Sequence, residues 1–133
     1  MPAASNGPLR PSALLWVDCT AGIFAGVLVL AGSSWLSEFY ALPRPLLAAT
    51  GAANVAYGLF SFSLARRAAR PRSLIVLLVV ANALWAVFCV IVAAHFAATA
   101  SPFGLAHLIG EAIVVGGLAT LEWRHREHLT GRT

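Results

Sequence analysis

Four stretches of apolar residues, each close to the length of a membrane span, divide the chain. A helix needs ~20 residues to cross ~30 Å of hydrocarbon, because it rises 1.5 Å per residue. Short segments rich in Pro, Ser and Arg separate the four stretches. The pattern predicts an all-α integral membrane four-helix bundle over 13–123, with spans at 13–32, 46–65, 73–95 and 103–123.

The ends of the predicted helices carry recognisable local signals. Ser101 followed by Pro102 is typical of a helix start, because serine caps the first turn and proline fits its first position. Residues 1–12 are rich in Pro, Gly and Ser, which predicts a disordered tail on the cytoplasmic side. Residues 124–133 are polar and basic, and we expect them to form a second tail on that side.

The first apolar stretch has two interpretations. Arg10 followed by an apolar run could be a secretory signal. The run is longer than the ~7–15-residue core of such signals, and it lacks a clear small-x-small cleavage site. It also contains Asp18. We therefore favour a retained anchor helix.

Composition supports a membrane domain and argues against a soluble one. Hydrophobic residues make up 59% of the chain and charged residues only 11%, whereas soluble domains are roughly half apolar and a quarter charged. The mean hydropathy is +0.81. Cys19 and Cys89 fall inside different predicted spans, where they more plausibly pack as small apolar residues than form a disulfide. One membrane domain accounts for nearly the whole chain.

The positive charge is concentrated at one end of the predicted bundle. The net charge is +4 without any Lys, and the Arg residues flank the apolar spans, which is the orientation signal of membrane proteins rather than a nucleic-acid footprint. All Arg except Arg44 fall in segments that a four-span topology places on one side. We therefore expect both termini in the cytoplasm, in a bacterial-type inner membrane, with the lipid bilayer as the principal partner and no nucleic acid.

Each predicted span also contains a polar side chain. Counting from the helix ends at 1.5 Å per residue places several of them ~12–14 Å deep, so the sequence predicts a buried polar layer. Its candidate ligand- or proton-binding residues are Asp18 in the first span, Asn54 and Tyr57 in the second, Asn82 in the third, and His107 and Glu111 in the fourth.

Glu111 is the centre of the predicted layer. A charged residue in mid-membrane costs ~2.5–3.5 kcal/mol on insertion scales, so we expect Glu111 to face the bundle interior. We also expect it to be mostly neutral unless an Arg or a protonated His approaches. Its role is either that of a protonatable binding group or that of a structural hydrogen-bond partner of Asn54 or Asn82.

Other members of the layer have alternative explanations as well. His95, His107 and Glu111 could ligate a metal, or the two histidines a haem, although both rings also suit the membrane interface without a ligand. Asp18 either reaches the interface near Arg10 or takes part in a proton path.

Two glycines one helical turn apart mark a close helix contact. Gly22 and Gly26 form a GxxxG pattern, which lets another backbone approach. The contact could be with a membrane-protein partner, or the spacing could reflect the abundance of small residues. The Arg run at 66–72 most simply sets topology. Trp85, near the middle of the third span, is expected in the core or facing lipid.

The size and four-helix plan resemble those of small multidrug exporters, in which an intramembrane glutamate binds a proton and a cationic drug alternately. In that family the glutamate lies in the first helix, where this chain has Asp18, whereas Glu111 lies in the fourth. The resemblance is architectural, and it transfers no residue roles.

Three functions remain open at this point. The first is binding or transport of a small or amphipathic ligand at Glu111, with transport requiring a homodimer because four helices enclose little space. The second is an accessory or assembly role beside a protein partner. The third, less favoured, is a haem or metal redox protein. An enzyme is not expected, since the sequence has no nucleophile–base arrangement, Gly-rich phosphate loop or CxxC.

Overall fold

The computed structural model describes residues 11–130, which form six helices and no strand. Four of the helices are long and apolar enough to cross a membrane. The chain is therefore an all-α, multi-pass membrane protein, and the predicted four-helix membrane bundle is confirmed. The helices are α1 Pro11–Ala31, α2 Ser33–Tyr40, α3 Arg44–Ala65, α4 Arg72–His95, α5 Pro102–Arg124 and α6 Arg126–Leu129.

The long helices begin and end within two residues of the predicted bounds, and two short helices lie outside the predicted spans. Pro11 and Ser12 belong to α1 rather than to the N-terminal tail, while the rest of that tail, 1–10, lies outside the described residues. The first connector contains α2, and the C-terminal segment folds back as α6. At α5 the predicted cap is confirmed, because the Ser101 side chain accepts a hydrogen bond from the Gly104 backbone N–H at 3.2 Å. The side of the membrane on which the termini lie stays a prediction.

The long helices associate as two pairs, α1 with α3 and α4 with α5, and the pairs touch each other much less. Two apolar clusters join them. At the arginine-rich end, which carries the 66–72 loop and α6, residues of α1, α3, α4 and α6 pack together around Leu15, Leu64 and Leu78. At the opposite end, which carries α2 and which we call the α2 end, Val29, Leu47 and neighbouring side chains pack against α4 and α5.

Glycines bring α1 and α3 into backbone contact. A methyl group added at Gly26 would lie 2.6 Å from the Gly51 carbonyl oxygen, and one at Gly58 would lie 2.8 Å from the Ile23 backbone nitrogen. At Gly22 the nearest atoms are again backbone atoms of α3. Gly22 and Gly26 therefore serve a contact inside the chain, and the suggestion that they face a protein partner is wrong.

Helix α2 is docked onto the start of α5. The Ser101 backbone N–H donates to the Tyr40 carbonyl oxygen at 2.9 Å, and its hydroxyl donates to the Phe39 carbonyl oxygen at 2.8 Å. Phe39 stacks on Phe103 with ring centroids 4.7 Å apart. Ala41 ends α2 in the left-handed conformation, at φ 52°, and turns the chain toward α3. These contacts fix α2 beside the bundle and aim Tyr40 at α5.

Arg70 joins two helix ends at the arginine-rich end. Its guanidinium donates to the carbonyl oxygens of Leu64 and Ala65 at the end of α3 and, at 2.8 Å, to that of Leu129 in α6. Burial lowers the pKa of this guanidinium, although arginine keeps its proton in proteins. The run at 66–72 therefore contributes more than topology, because Arg70 bonds to carbonyl groups at the ends of two helices, where backbone partners run out.

Replacing Arg70 by alanine is expected to lower the free energy of unfolding by at least about 2 kcal/mol, since a hydrogen bond from a charged donor contributes ~1.5–3 kcal/mol. Unfolding in mixed micelles by added SDS measures this change. Arg67→Ala, at an exposed position of the same loop, is the control and should be nearly neutral. Equal losses for the two variants would contradict the role given to Arg70.

Candidate functional site

A cavity of about 390 Å³ lies between the two helix pairs, midway along the spans. It lies between the two apolar clusters, which close the bundle toward its two ends. All four long helices contribute to its wall. Most of that wall is formed by small or aliphatic residues, which include Ala21, Ala25, Ala53, Ala81, Ala106, Gly110, Val114 and Leu118.

The cavity opens through the side of the bundle. Ala21, Ala53 and Ala106 line it and are also exposed at the protein surface, and Val114 is 57% exposed. At this depth the surface of a membrane-spanning bundle faces lipid tails. The wall of the cavity on this side therefore consists of helices that present little side-chain bulk.

Glu111 is an acidic residue in the cavity wall, and three nitrogen donors surround its carboxyl group. Its Oε1 accepts from Asn54 Nδ2 at 2.9 Å and from Trp85 Nε1 at 2.8 Å. Its Oε2 lies 3.2 Å from His107 Nε2. A carboxylate offers about four acceptor positions, so one remains for a ligand. The donors come from α3, α4 and α5, and Glu111 thereby connects both helix pairs.

His107 links Glu111 to α2. The Tyr40 hydroxyl lies 3.3 Å from His107 Nδ1. Burial, together with the nearby charge of Glu111, raises the pKa of Tyr40, so its hydroxyl keeps its proton. Donation from Tyr40 to Nδ1 leaves the Nε2–H of His107 facing Glu111. Tyr40, His107 and Glu111 thus form a continuous hydrogen-bonded chain from the α2 end into the cavity.

Glu111 was expected to be mostly neutral unless an Arg or a protonated His approached, and this stays a prediction, with His107 Nε2 lying 3.2 Å from the carboxyl group. One expectation about this part of the site requires correction. Trp85 was expected in the core or facing lipid, yet it lines the cavity and donates to Glu111. Asn54 has the interhelical hydrogen bond that the sequence suggested.

A second polar cluster lies nearer the arginine-rich end and is centred on Asp18. Asp18 Oδ2 accepts from the Tyr57 hydroxyl, from Ser61 Oγ at 3.4 Å and from Asn82 Nδ2 at 3.4 Å. Asp18 is only 3% exposed, so it does not reach the membrane interface as one interpretation had it. Arg10, its suggested neighbour there, lies outside the described residues.

Glu122 completes this second cluster and was missed in the sequence. It is fully buried, and its Oε2 accepts from Asn82 Nδ2 at 2.9 Å. In the sequence it stands next to Trp123 and Arg124 at the end of a span, where an acidic residue normally meets water. The spacing in the sequence could have indicated that Glu122 faces inward. Glu111 and Glu122 are eleven residues apart, which is close to three helical turns at 3.6 residues per turn, so both lie on one face of α5.

The residues suggested as metal ligands do not form a cluster in the described part of the chain. Within residues 11–130, no group of three or more His, Cys, Asp or Glu side chains is arranged to hold a metal ion. His95 is exposed and packs edge-on against Phe96, while His107 bonds to Tyr40 and Glu111. These three residues are therefore not grouped as a metal site in the described part of the chain. Both cysteines are buried and free, as expected.

These features define a multi-pass membrane protein with an acidic cavity inside its membrane span. All six predicted binding residues line this cavity, namely Asp18, Asn54, Tyr57, Asn82, His107 and Glu111. Comparison with known protein families, with curated proteins and with solved structures gives no match to this chain.

Proposed function

We propose that this protein binds a small amphipathic molecule from the bilayer, with the polar group of the ligand on Glu111 and its apolar part in the cavity. The observation that carries the proposal is the cavity of about 390 Å³, which has aliphatic walls and a carboxylate at one pole. Small-molecule sites have volumes of roughly 300–1,000 Å³ and combine apolar walls with a few polar groups.

The polar groups of the cavity restrict the chemistry of the ligand. Glu111 and Asp18 are acidic, and His107 is the one basic side chain in the wall. The free acceptor position on Glu111 favours a ligand that donates an N–H or O–H, and a charge-assisted bond favours an ammonium group most. Asn54 and Trp85 hold the carboxylate in place for such a donor.

The route of access supports binding from lipid rather than flow through a pore. Apolar clusters close the bundle toward both ends, while small residues open its side. The cavity is also complete within one chain, so ligand binding does not require the homodimer that the sequence suggested for transport.

Native mass spectrometry of the protein, extracted gently from its own membrane, tests the proposal. We expect a bound small molecule on the wild-type chain and its absence from Glu111→Gln, whose circular dichroism should match that of the wild type. Glu38→Gln replaces an exposed carboxylate on α2 and should retain the molecule. A wild-type chain that is empty, or a molecule that remains equally bound to Glu111→Gln, would count against the proposal.

A further inference from the structure

Asp18 and Glu122 meet where the two helix pairs come together. Asp18 belongs to α1 and Glu122 to α5, and a single nitrogen, Asn82 Nδ2, contacts a carboxylate oxygen of each, at 3.4 and 2.9 Å. The two carboxyl groups are close enough to share a hydrogen bond once one of them carries a proton. Both side chains are at least 97% buried, with exposed fractions of 3% and 0%.

One oxygen of this arrangement has no partner. Glu122 Oε1 is buried and receives no hydrogen bond from the described residues. A buried acceptor without a donor costs ~1–3 kcal/mol, and more if it is charged. A proton on the Glu122 carboxyl group removes its charge and makes the group a donor, for which the neighbouring Asp18 carboxylate is an acceptor.

Within residues 11–130, no positively charged side chain forms a hydrogen bond or salt bridge with the pair. On α3, Tyr57 and Ser61 donate to Asp18, and α4 presents the neutral Asn82. On α1, Cys19 donates to the Trp16 carbonyl oxygen. Of the nearby arginines, Arg70 bonds to backbone carbonyl oxygens and Arg126 to the Trp123 carbonyl oxygen and ring, and neither bonds to the pair. Glu111 belongs to the other polar cluster and adds only negative charge.

Two adjacent carboxylates without a counter-charge repel each other strongly in an apolar interior, and a single proton held between them removes that repulsion. We propose that Asp18 and Glu122 form a proton-binding site that joins the two helix pairs. Asp18 also lines the proposed ligand cavity, but the proton site exists without the ligand. When the proton leaves to the solvent, two negative charges face each other across the boundary between the pairs and push them apart.

The donors around Asp18 favour a proton over a metal cation. Tyr57, Ser61 and Asn82 all direct O–H or N–H groups at the same carboxylate oxygen. A bound cation would need oxygen lone pairs in those positions. Glu122 is fully buried and its Oε1 has no hydrogen-bond partner among the described residues, and both features favour a proton on its carboxyl group.

Infrared spectroscopy of the protein in lipid nanodiscs tests the site directly. At neutral pH in a sodium-free choline buffer, we expect the C=O stretching band of a protonated carboxylic acid in the wild type and its loss in Glu122→Gln. Glu127→Gln, which removes an exposed carboxylate of α6, should keep the band. Absence of the band from the wild type, or its persistence in Glu122→Gln, overturns the proposal.

Two further measurements keep the test decisive if Glu122→Gln does not fold. In Asp18→Asn the repulsion that retains the proton is removed and the partner of the Glu122 proton becomes an amide, so the band should weaken or shift in frequency, and a band unchanged in both intensity and frequency overturns the sharing of the proton. Exchange of choline for sodium at constant ionic strength should leave the wild-type band unchanged. Loss of the band on sodium addition assigns the site to a metal cation and overturns the proton assignment.

Discussion

Replacing Gly26 by alanine is expected to lower the free energy of unfolding by about 1–3 kcal/mol, the usual cost of overpacking a tight contact. The added methyl group would lie 2.6 Å from the Gly51 carbonyl oxygen and 2.8 Å from the Val55 backbone nitrogen. Backbone atoms of a helix cannot rotate away as a side chain can, so α1 and α3 must separate. SDS-induced unfolding in mixed micelles, followed by circular dichroism, measures the loss.

Gly117→Ala is the matched control for this experiment. Gly117 also lies inside a membrane-spanning helix, but a methyl group there meets nothing within 4 Å. Alanine is favoured over glycine in a helix by up to ~1 kcal/mol, so this variant should be unchanged or slightly more stable. Similar stability of Gly26→Ala and Gly117→Ala would show that the close contact between α1 and α3 is not formed.

Replacing Glu111 by glutamine is expected to weaken the binding of an amphipathic amine by roughly 10- to 100-fold, because a hydrogen bond to a charged group contributes ~1.5–3 kcal/mol. Glutamine keeps the size of the side chain and an oxygen acceptor for Asn54 and Trp85, so the cavity should keep its shape. A dansyl-labelled primary alkylamine is a suitable probe, since its fluorescence rises when it leaves water. Titration of the protein in nanodiscs gives the dissociation constant.

The N-acetylated form of the same probe separates the charge from the apolar part. It fills the same cavity but keeps only a neutral N–H donor in place of the ammonium group, so Glu111→Gln should weaken its binding much less than that of the amine. Glu38→Gln should bind the amine as the wild type does. A preference for the amine over the acetylated probe that survives in Glu111→Gln would assign the recognition to another group.

The architecture could be predicted from the sequence because lipid permits few alternatives. A backbone that crosses hydrocarbon must satisfy its own hydrogen bonds, so four long apolar stretches imply four helices. The start of α5 was also predictable, because Ser101 and Pro102 act locally. The polar layer followed from the cost of placing Glu111 and Asn54 in lipid, which requires them to turn inward.

The partners of these polar groups could not be predicted, because they depend on how the helices rotate and cross. Glu122 has an interfacial position in the sequence, yet it is fully buried and bonds to Asn82 of α4. The indole of Trp85 could have faced lipid, and only the rotation of α4 directs its N–H to Glu111. The GxxxG at Gly22 and Gly26 predicts a close helix contact but does not identify the contacting helix, which is α3.

The side opening lined by Ala21, Ala53 and Ala106 has a consequence for any affinity measured with this protein. A ligand that enters from the bilayer is diluted by lipid rather than by water, so occupancy follows its mole fraction in the membrane. Adding empty vesicles at constant total ligand should therefore release the ligand, although the aqueous volume is unchanged. Lipid-to-protein ratio, rather than molar concentration in the buffer, is the variable that sets how full the cavity is.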